Sequence, residues 1–110
     1  DIIIRGGLNI SATEVENLLL THPMVQNVAV VSMPDRRLVE KACAYIVPAA
    51  GAKVTLEDIS SYLRDEHDFA IQKLPERLEL VDTLPMTATG KVQKHQLRAD
   101  IAEKLEREAS

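Results

Sequence analysis

The segment from Val25 to Val47, VQNVAVVSMPDRRLVEKACAYIV, contains two runs of strand-forming residues separated by a short polar connection. Residues 25–33 and 42–47 are rich in valine, isoleucine and tyrosine, which are enriched in β-strands. The two predicted strands follow one another with no helix between them. The segment therefore argues against strict alternation of strands and helices, and it favours an α+β fold.

A hairpin and a helix are predicted before this segment. Residues 1–10, DIIIRGGLNI, are typical of a short strand, a Gly-Gly turn and a second extended piece. Ser11 and Glu14 form an S-x-x-E capping box, which predicts a helix start at which two free backbone amides are satisfied. Pro23 disfavours helical geometry at His22, so we expect this helix to end there.

Two helices with a strand between them are predicted after the segment. A T-x-x-D capping box at residues 55–58 opens a helix, and residues 76–82, ERLELVD, alternate as a half-buried strand with Leu78 and Leu80 on one face. A last helix is expected from about Lys94 to Glu106. Its apolar stripe consists of Leu97, Ile101 and Leu105. The order predicts an α+β domain: a small sheet of about three strands with helices packed on it, and a separate N-terminal β-hairpin.

The composition argues against nucleic acid as a partner. The 110 residues fit one domain, and 45% of them are hydrophobic. The net charge is -4 and the pI is about 5.3, whereas nucleic-acid-binding domains are usually basic. The three aromatic residues, Tyr45, Tyr62 and Phe69, are too few for a base-stacking surface. A single RGG at residues 5–7, without repeats or an aromatic RNA-binding strand, does not support RNA binding.

The cysteine and histidine content gives no disulfide or metal signal. Cys43 is the single cysteine, so no disulfide can form within one copy of the chain, and a lone cysteine suits a reducing cytosol. His22, His67 and His95 are widely spread and lack the spacing of metal ligands. The sequence contains no signal peptide and no apolar run of membrane-spanning length. We therefore expect a cytoplasmic protein without a membrane span.

Positive charge gathers in residues 84–97, LPMTATGKVQKHQL, although the protein as a whole is acidic. No acidic residue lies between Asp82 and Asp100. The basic side chains between these two aspartates are Lys91, Lys94, His95 and Arg98. Cations at a helix start oppose the helix dipole, and such a cost can mark function, although composition alone favours a solvated basic face. The threonine-rich loop can be mobile and present its lysine outward.

The Gly-Lys pair is not a P-loop, because Pro85 replaces the required earlier glycine and Val92 follows the lysine.

The same stretch resembles the P-x-T-x-x-G-K-x-x-x-x-x-L motif near the end of AMP-forming adenylating enzymes. These include acyl-CoA synthetases, aryl-acid and amino-acid adenylating enzymes, and luciferases. The matching residues are Pro85, Thr87, Gly90, Lys91 and Leu97. Residues 1–16 are similar to a second motif of this family, D-x-I-x-x-G-G-x-x-I-x-x-x-E-[IV]-E. The matches there are Asp1, Ile3, Gly6, Gly7, Ile10, Glu14, Val15 and Glu16. The resemblance extends over essentially the whole chain.

The resemblance implies that residues 1–110 are the small C-terminal domain of a longer enzyme, cut at the inter-domain hinge, with the large N-terminal domain absent. In such enzymes the large domain binds ATP, magnesium and a carboxylic acid, and the small domain rotates between two half-reactions. The first gives an acyl-adenylate and pyrophosphate. In the second a thiol, commonly that of coenzyme A, attacks to give a thioester and AMP. We expect the isolated domain to fold, because it has its own helix stripes and strands, but to be inactive alone.

The resemblance also implies roles for particular residues. Lys91 would be the catalytic residue of the first step, bridging the carboxylate and the α-phosphate. Gly6 and Gly7 would line the channel for the pantetheine arm, although in isolation they predict only a hairpin turn. The full set of implied cofactor-binding residues is Gly6, Gly7, Arg5, Gly90, Lys94 and Arg98, of which Arg5, Lys94 and Arg98 would help to hold the nucleotide of coenzyme A. No metal-binding residue is implied, and Glu16 is interpreted as a solvated side chain.

Three functions remain open from the sequence. The first is an acid–CoA ligase of fatty acid metabolism that activates a fatty, short-chain or alicyclic acid, with its own large domain, the acid and coenzyme A as partners. The second is an aryl-acid adenylating enzyme that loads a carrier protein. The third is a non-enzymatic α+β module that binds a small ligand or a protein.

Overall fold

The computed structural model describes residues 1–109, which form five strands and three helices. The strands are β1 (Ile2–Arg5), β2 (Leu8–Ser11), β3 (Val25–Asp35), β4 (Val39–Pro48) and β5 (Arg77–Leu80). The helices are α1 (Ala12–Leu19), α2 (Leu56–Ser61) and α3 (Lys94–Ala109). A π-helical turn, Tyr62–Glu66, continues α2, and a 3₁₀ turn occupies Ile71–Lys73.

The sheet is built around β4. Its ladder with β3 is antiparallel along the whole of β4, and its ladder with β5 is parallel from Cys43 to Ile46. The hairpin of β1 and β2 joins the same sheet through a single pair, Arg5 with Val39. The α+β class is confirmed, and β3, β4 and β5 form the predicted three-stranded sheet. The hairpin is hydrogen-bonded to this sheet and not separate from it.

The sheet carries a hydrophobic layer on each face, because successive residues of β3 and β4 point to opposite sides. The layer under α1 and α2 includes Ile3, Ile10, Val15, Leu19, Val28, Val30, Ala44, Ile46, Ile59 and Leu63. The layer under α3 includes Ala29, Val31, Cys43, Tyr45, Leu97 and Ile101, with Leu105 partly buried against it. The predicted stripe of the last helix is thereby confirmed, and the helix runs three residues beyond its predicted end, to Ala109.

The ends of α1 differ from the expectation. At its start Ser11 Oγ accepts from Glu14 N at 3.2 Å, but only this half of the predicted capping box forms within residues 1–109. The helix ends at Leu19, before His22, because Thr21 turns the chain away: its amide and its hydroxyl both donate to the Leu18 carbonyl oxygen. In α2, by contrast, both bonds of the capping box at residues 55–58 are present.

Polar side chains connect α3 to the sheet. The Tyr45 hydroxyl donates to Asp100 Oδ2 at 2.6 Å, and this hydrogen bond lowers the pKa of the Asp100 carboxyl. Lys104 Nζ lies 2.7 Å from Glu79 Oε1 on β5 and 3.0 Å from Asp100 Oδ2. Leu80 is the last residue of the edge strand β5 and is 49% exposed, so the prediction that it shares a buried face with Leu78 is wrong.

Candidate functional site

Lys91 lies directly after a tight turn of a small hairpin. Met86 and Val92 form an antiparallel bridge, and Thr87 N donates to the Lys91 carbonyl oxygen at 2.7 Å. Gly90 N donates to the Thr87 carbonyl oxygen at 3.0 Å, and Gly90 has φ of +87°. A three-residue turn that ends in a left-handed glycine is a common hairpin connection, and the left-handed position explains the glycine. We call residues 86–92 the lysine hairpin.

The lysine hairpin fixes the backbone of Lys91 and leaves its side chain outside. Lys91 N donates to Thr87 Oγ1 at 3.0 Å, so the backbone is held on both sides. The residue is exposed, and its ammonium has no ion pair with any other residue of the range 1–109. Lys91 is therefore presented outward, as expected, from a hydrogen-bonded turn. Its charge is available to an anion from outside the domain.

The two glycines of the N-terminal hairpin differ in their surroundings. Gly6 has φ of +54° and Gly7 has φ of +85°, the combination that a two-residue hairpin turn requires. Gly6 N donates to the Leu38 carbonyl oxygen at 2.7 Å, and a Cβ at Gly6 would lie 2.9 Å from Leu38 Cδ2. A Cβ at Gly7 would meet nothing within 4 Å. The left-handed backbone favours glycine at both positions, and an added Cβ at Gly6 would also displace the end of the Leu38 side chain, whereas the space at Gly7 is open. We call residues 5–8 the glycine hairpin.

The two hairpins lie at opposite ends of β3. Met86 shares a cleft of about 220 Å³ with Gln26 and Asn27, near the start of β3, whereas Gly6 is bonded to Leu38, just beyond its end. β3 has 11 residues, which corresponds to roughly 30 Å at the usual rise per residue. The predicted site residues therefore form two separate groups and not one pocket.

The other predicted basic residues differ in how far their charges are compensated. Arg5 Nε lies 2.5 Å from Glu76 Oε1, and this hydrogen bond raises the pKa of Arg5. Lys94 Nζ pairs with Glu16 at 2.7 Å and also with Asp1. Arg98 is exposed and has no ion pair among the residues that the structure describes.

Glu16 has a role that the sequence did not suggest. Its side chain is only 17% exposed, and Oε2 accepts from Val30 N, on the edge strand β3, at 2.8 Å. The interpretation of Glu16 as a solvated residue is wrong. Glu16 follows buried Val15 and lies one helical turn after buried Ala12, so it borders the apolar stripe of α1. The position of a charged residue at the border of this stripe is the sequence feature from which the partial burial of Glu16 could have been predicted.

Cys43, His22 and His67 lie outside both hairpins. Cys43 lies in the centre of β4, and burial raises the pKa of its thiol to about 12, so it is a poor nucleophile. His22 and His67 pack edge-on against Tyr62, with ring centroids 4.5 Å and 4.9 Å away. Among residues 1–109 there is no group of three or more His, Cys, Asp or Glu placed to hold a metal. No helix in this described part of the chain has the length and apolarity to cross a membrane.

Comparison with known proteins identifies relatives for nearly the whole chain. The model of the AMP-binding enzyme C-terminal domain matches residues 14–91. The chain is 47% identical to 2,3-dihydroxybenzoate-AMP ligase of Bacillus subtilis, with 96% of this chain and 19% of that protein covered. It is 43% identical to medium-chain fatty-acid–CoA ligase of Escherichia coli, with 96% of this chain and 19% of that protein covered.

A solved structure agrees with the fold. The acyl-CoA synthetase of Brucella canis superposes with a TM-score of 0.87 and 31% sequence identity, covering 96% of this chain and 20% of that one. The chain thus spans about a fifth of the length of the relatives that it matches.

Proposed function

The chain belongs to the AMP-binding enzyme C-terminal domain family, and from this premise we propose that it is the mobile small domain of an AMP-forming carboxylic acid–thiol ligase. The parent enzyme would activate an acid with ATP to an acyl-adenylate and then transfer the acyl group to a thiol. The observation that carries the proposal is the exposed Lys91, which lies in the family's motif on a hydrogen-bonded hairpin and has no internal ion pair within residues 1–109. ATP, its magnesium and the acid would be held mainly by the large domain.

Lys91 is assigned to the adenylation half-reaction. The acid carboxylate and the α-phosphate are both anions, and their approach is repulsive until a cation lies between them. A lysine ammonium is a compact donor that can contact both groups and stabilise the charge that develops in the transition state. The fixed backbone of the lysine hairpin supports this role, because it limits the entropy lost when the side chain is placed. Gly90 would keep the turn in the shape that presents Lys91.

The glycine hairpin is assigned to the thiol-transfer half-reaction. Gly7 supports this assignment, because its backbone is open to close approach by an extended chain such as a pantetheine arm. Gly6 would hold the turn against Leu38. Of the three basic residues considered for the coenzyme A nucleotide, Arg98 is the best supported, since Arg5 and Lys94 are already paired with carboxylates.

An aryl-acid adenylating enzyme that loads a carrier protein is the second candidate. The identity to 2,3-dihydroxybenzoate-AMP ligase, 47%, slightly exceeds the 43% identity to the medium-chain fatty-acid–CoA ligase. A carrier protein and coenzyme A both offer the same phosphopantetheine thiol, so the glycine hairpin would serve either acceptor. The difference lies in the acid and in the group attached to the pantetheine arm.

The proposal is tested by ATP–pyrophosphate exchange with the full-length parent over fatty, short-chain, alicyclic and aromatic acids. We expect exchange with one class of acid, and a loss on the order of 10²–10³-fold in Lys91→Ala, the usual effect of removing one such donor. Lys53→Ala is the matched control, because Lys53 is also exposed but lies outside both hairpins, and it should leave exchange unchanged.

The same preparation separates the two candidates. Thioester formation with free coenzyme A supports the acid–CoA ligase, and transfer to a phosphopantetheinylated carrier protein but not to coenzyme A supports the aryl-acid enzyme. Exchange with no acid of the panel, or exchange that survives Lys91→Ala, would contradict the proposed function of this domain.

A further inference from the structure

Lys94, the first residue of α3, joins elements that are distant along the chain. Its Nζ lies 2.7 Å from Glu16 Oε2 in α1 and also pairs with the carboxylate of Asp1, the residue before β1. The Lys94 side chain is 20% exposed, so this contact is partly shielded from solvent. Asp1 is 93 residues away in sequence, and the contact therefore depends on the complete fold.

Both acceptors of Lys94 are themselves hydrogen-bonded to the backbone of other elements. Glu16 Oε2 also accepts from Val30 N in β3 at 2.8 Å. The carbonyl oxygen of Asp1 accepts from Ala12 N at the start of α1, at 3.1 Å. Charge-assisted hydrogen bonds to anchored acceptors are stronger and more directional than those between mobile surface groups. The ammonium is consequently held at a defined place, between α1 and the start of β1.

The lysine hairpin continues directly into this contact. Its second strand contains Lys91 and Val92, and Gln93 N donates to the Pro85 carbonyl oxygen at 2.8 Å. Lys94 follows at once as the first residue of α3. Only Val92 and Gln93 lie between Lys91 and Lys94, and both take part in backbone pairing. The position of Lys94 against Asp1 and Glu16 therefore determines where the hairpin lies relative to the start of β1.

We propose that Lys94 is a positioning residue for Lys91. By binding Asp1 and Glu16 it fastens the lysine hairpin to the start of β1, so that Lys91 and the start of β1 move as one body. This inference rests on the proposed function, in which Lys91 acts in adenylation and the large domain precedes Asp1. It gives Lys94 a role other than coenzyme A binding, and it explains a cation at a helix start where the dipole disfavours one.

The rest of α3 has anchors of its own. Leu97 and Ile101 are buried against the sheet, and Lys104 pairs with Glu79 and Asp100. Loss of the Lys94 contacts should therefore displace the lysine hairpin while the domain stays folded. A displacement of about 1 Å in a catalytic group can reduce a rate about 10²-fold.

The test uses the full-length parent and measures the two half-reactions separately, with ATP–pyrophosphate exchange for the first and thioester formation from preformed acyl-adenylate for the second. Lys94→Met should lower kcat for exchange by about 10- to 100-fold, with KM for the acid and the second half-reaction changed by less than about twofold. Lys94→Arg should restore most of the exchange, because it keeps the charge between the two carboxylates.

Lys104→Met is the matched control for these variants. Lys104 is in the same helix and also binds two carboxylates, with a side chain 30% exposed, but it lies ten residues beyond Lys94. It should leave both half-reactions within about twofold of the wild type. Asp1→Ala removes one acceptor without leaving an unpaired charge on α3, so it gives the answer if Lys94→Met does not fold. It should lower exchange and not thioester formation.

Wild-type exchange in Lys94→Met and Asp1→Ala, or an equal loss in both half-reactions, would overturn the role of Lys94. Lys91→Ala in the same experiment distinguishes a failure of the positioning role of Lys94 from a failure of the proposed function. If Lys91→Ala loses exchange and Lys94→Met does not, the positioning role fails and the proposed function stands. If Lys91→Ala retains exchange, the proposed function itself fails.

Discussion

The glycine hairpin and the lysine hairpin are both tight turns with left-handed glycines, yet they offer opposite chemistry. The glycine hairpin presents bare backbone at Gly7, where an added Cβ would meet nothing within 4 Å. The lysine hairpin presents an exposed ammonium at Lys91 on a backbone held by Thr87. A surface without side chains suits close packing of an extended ligand, whereas a lone cation suits the neutralisation of two anions.

The separation of the two hairpins supports the proposed two-step function. They lie towards opposite ends of β3, an 11-residue strand of roughly 30 Å. Two surfaces separated in this way can serve two steps in turn if the domain rotates between them, which is what the proposed rotation of the small domain would achieve.

The largest effect on stability should come from the difference between the two glycines. In residues 1–110, Gly6→Ala should destabilise the domain by between about 1 and 2 kcal/mol, and Gly7→Ala by about 1 kcal/mol. Both substitutions force alanine into a left-handed backbone, but only the first also brings a Cβ against Leu38. Denaturant unfolding measures both values, and a cooperative transition would confirm that this domain folds alone.

A double-mutant cycle tests the cause of that difference. In a Leu38→Ala background, Gly6→Ala should cost about 1 kcal/mol, since the contact at 2.9 Å is gone, while the cost of Gly7→Ala should not change. Equal costs for the two glycines in the wild-type background would refute the distinction between a structural Gly6 and an open Gly7.

A smaller effect is expected from the contact that fixes Lys91. Thr87→Val leaves Lys91 N without its acceptor at 3.0 Å, and it should destabilise the domain by about 1 kcal/mol. In the full-length parent it should reduce ATP–pyrophosphate exchange by about tenfold, because the catalytic side chain is less well placed. Thr89→Val is the control, since the Thr89 side chain has no hydrogen bond within residues 1–109 other than the one to the Thr87 hydroxyl, and an equal loss there would contradict the role of Thr87.

The smallest effect concerns the polar contact between α3 and the sheet, formed by Tyr45 and Asp100. The hydrogen bond from Tyr45 lowers the pKa of Asp100, so ionised Asp100 stabilises the fold above the ordinary aspartate pKa of about 3.9. That contribution is lost as pH falls through the lowered value. With Asp100 45% exposed, solvent limits it to below about 1 kcal/mol.

The corresponding measurement is the unfolding free energy of the wild type and of Asp100→Asn from pH 6 down to pH 3. The difference between the two proteins should be largest at pH 6 and should shrink in acid, and Tyr45→Phe should weaken this dependence on pH. A difference that grows in acid would mean that Asp100 does not act as an ionised acceptor.

The sequence predicted what is local and periodic. The order of elements, the buried stripe of α3 and the N-terminal turn follow from the spacing of residues that are close in sequence. It did not predict the attachment of the hairpin to β4, the burial of Glu16 or the engagement of Lys94 by Asp1. Each of these depends on residues that are distant in sequence, so no local pattern contains it. The different roles of Gly6 and Gly7 likewise depend on Leu38.

The most direct test of whether the two hairpins serve separate half-reactions is to measure both half-reactions of the full-length parent in Lys91→Ala and Gly7→Asn. Asparagine tolerates a left-handed backbone, so Gly7→Asn adds a side chain to the open turn with little strain. We expect opposite losses: Lys91→Ala loses acyl-adenylate formation and keeps thiol transfer, whereas Gly7→Asn keeps adenylation and loses thiol transfer. If both variants impair the same half-reaction, or if each impairs both equally, the two hairpins do not serve separate steps.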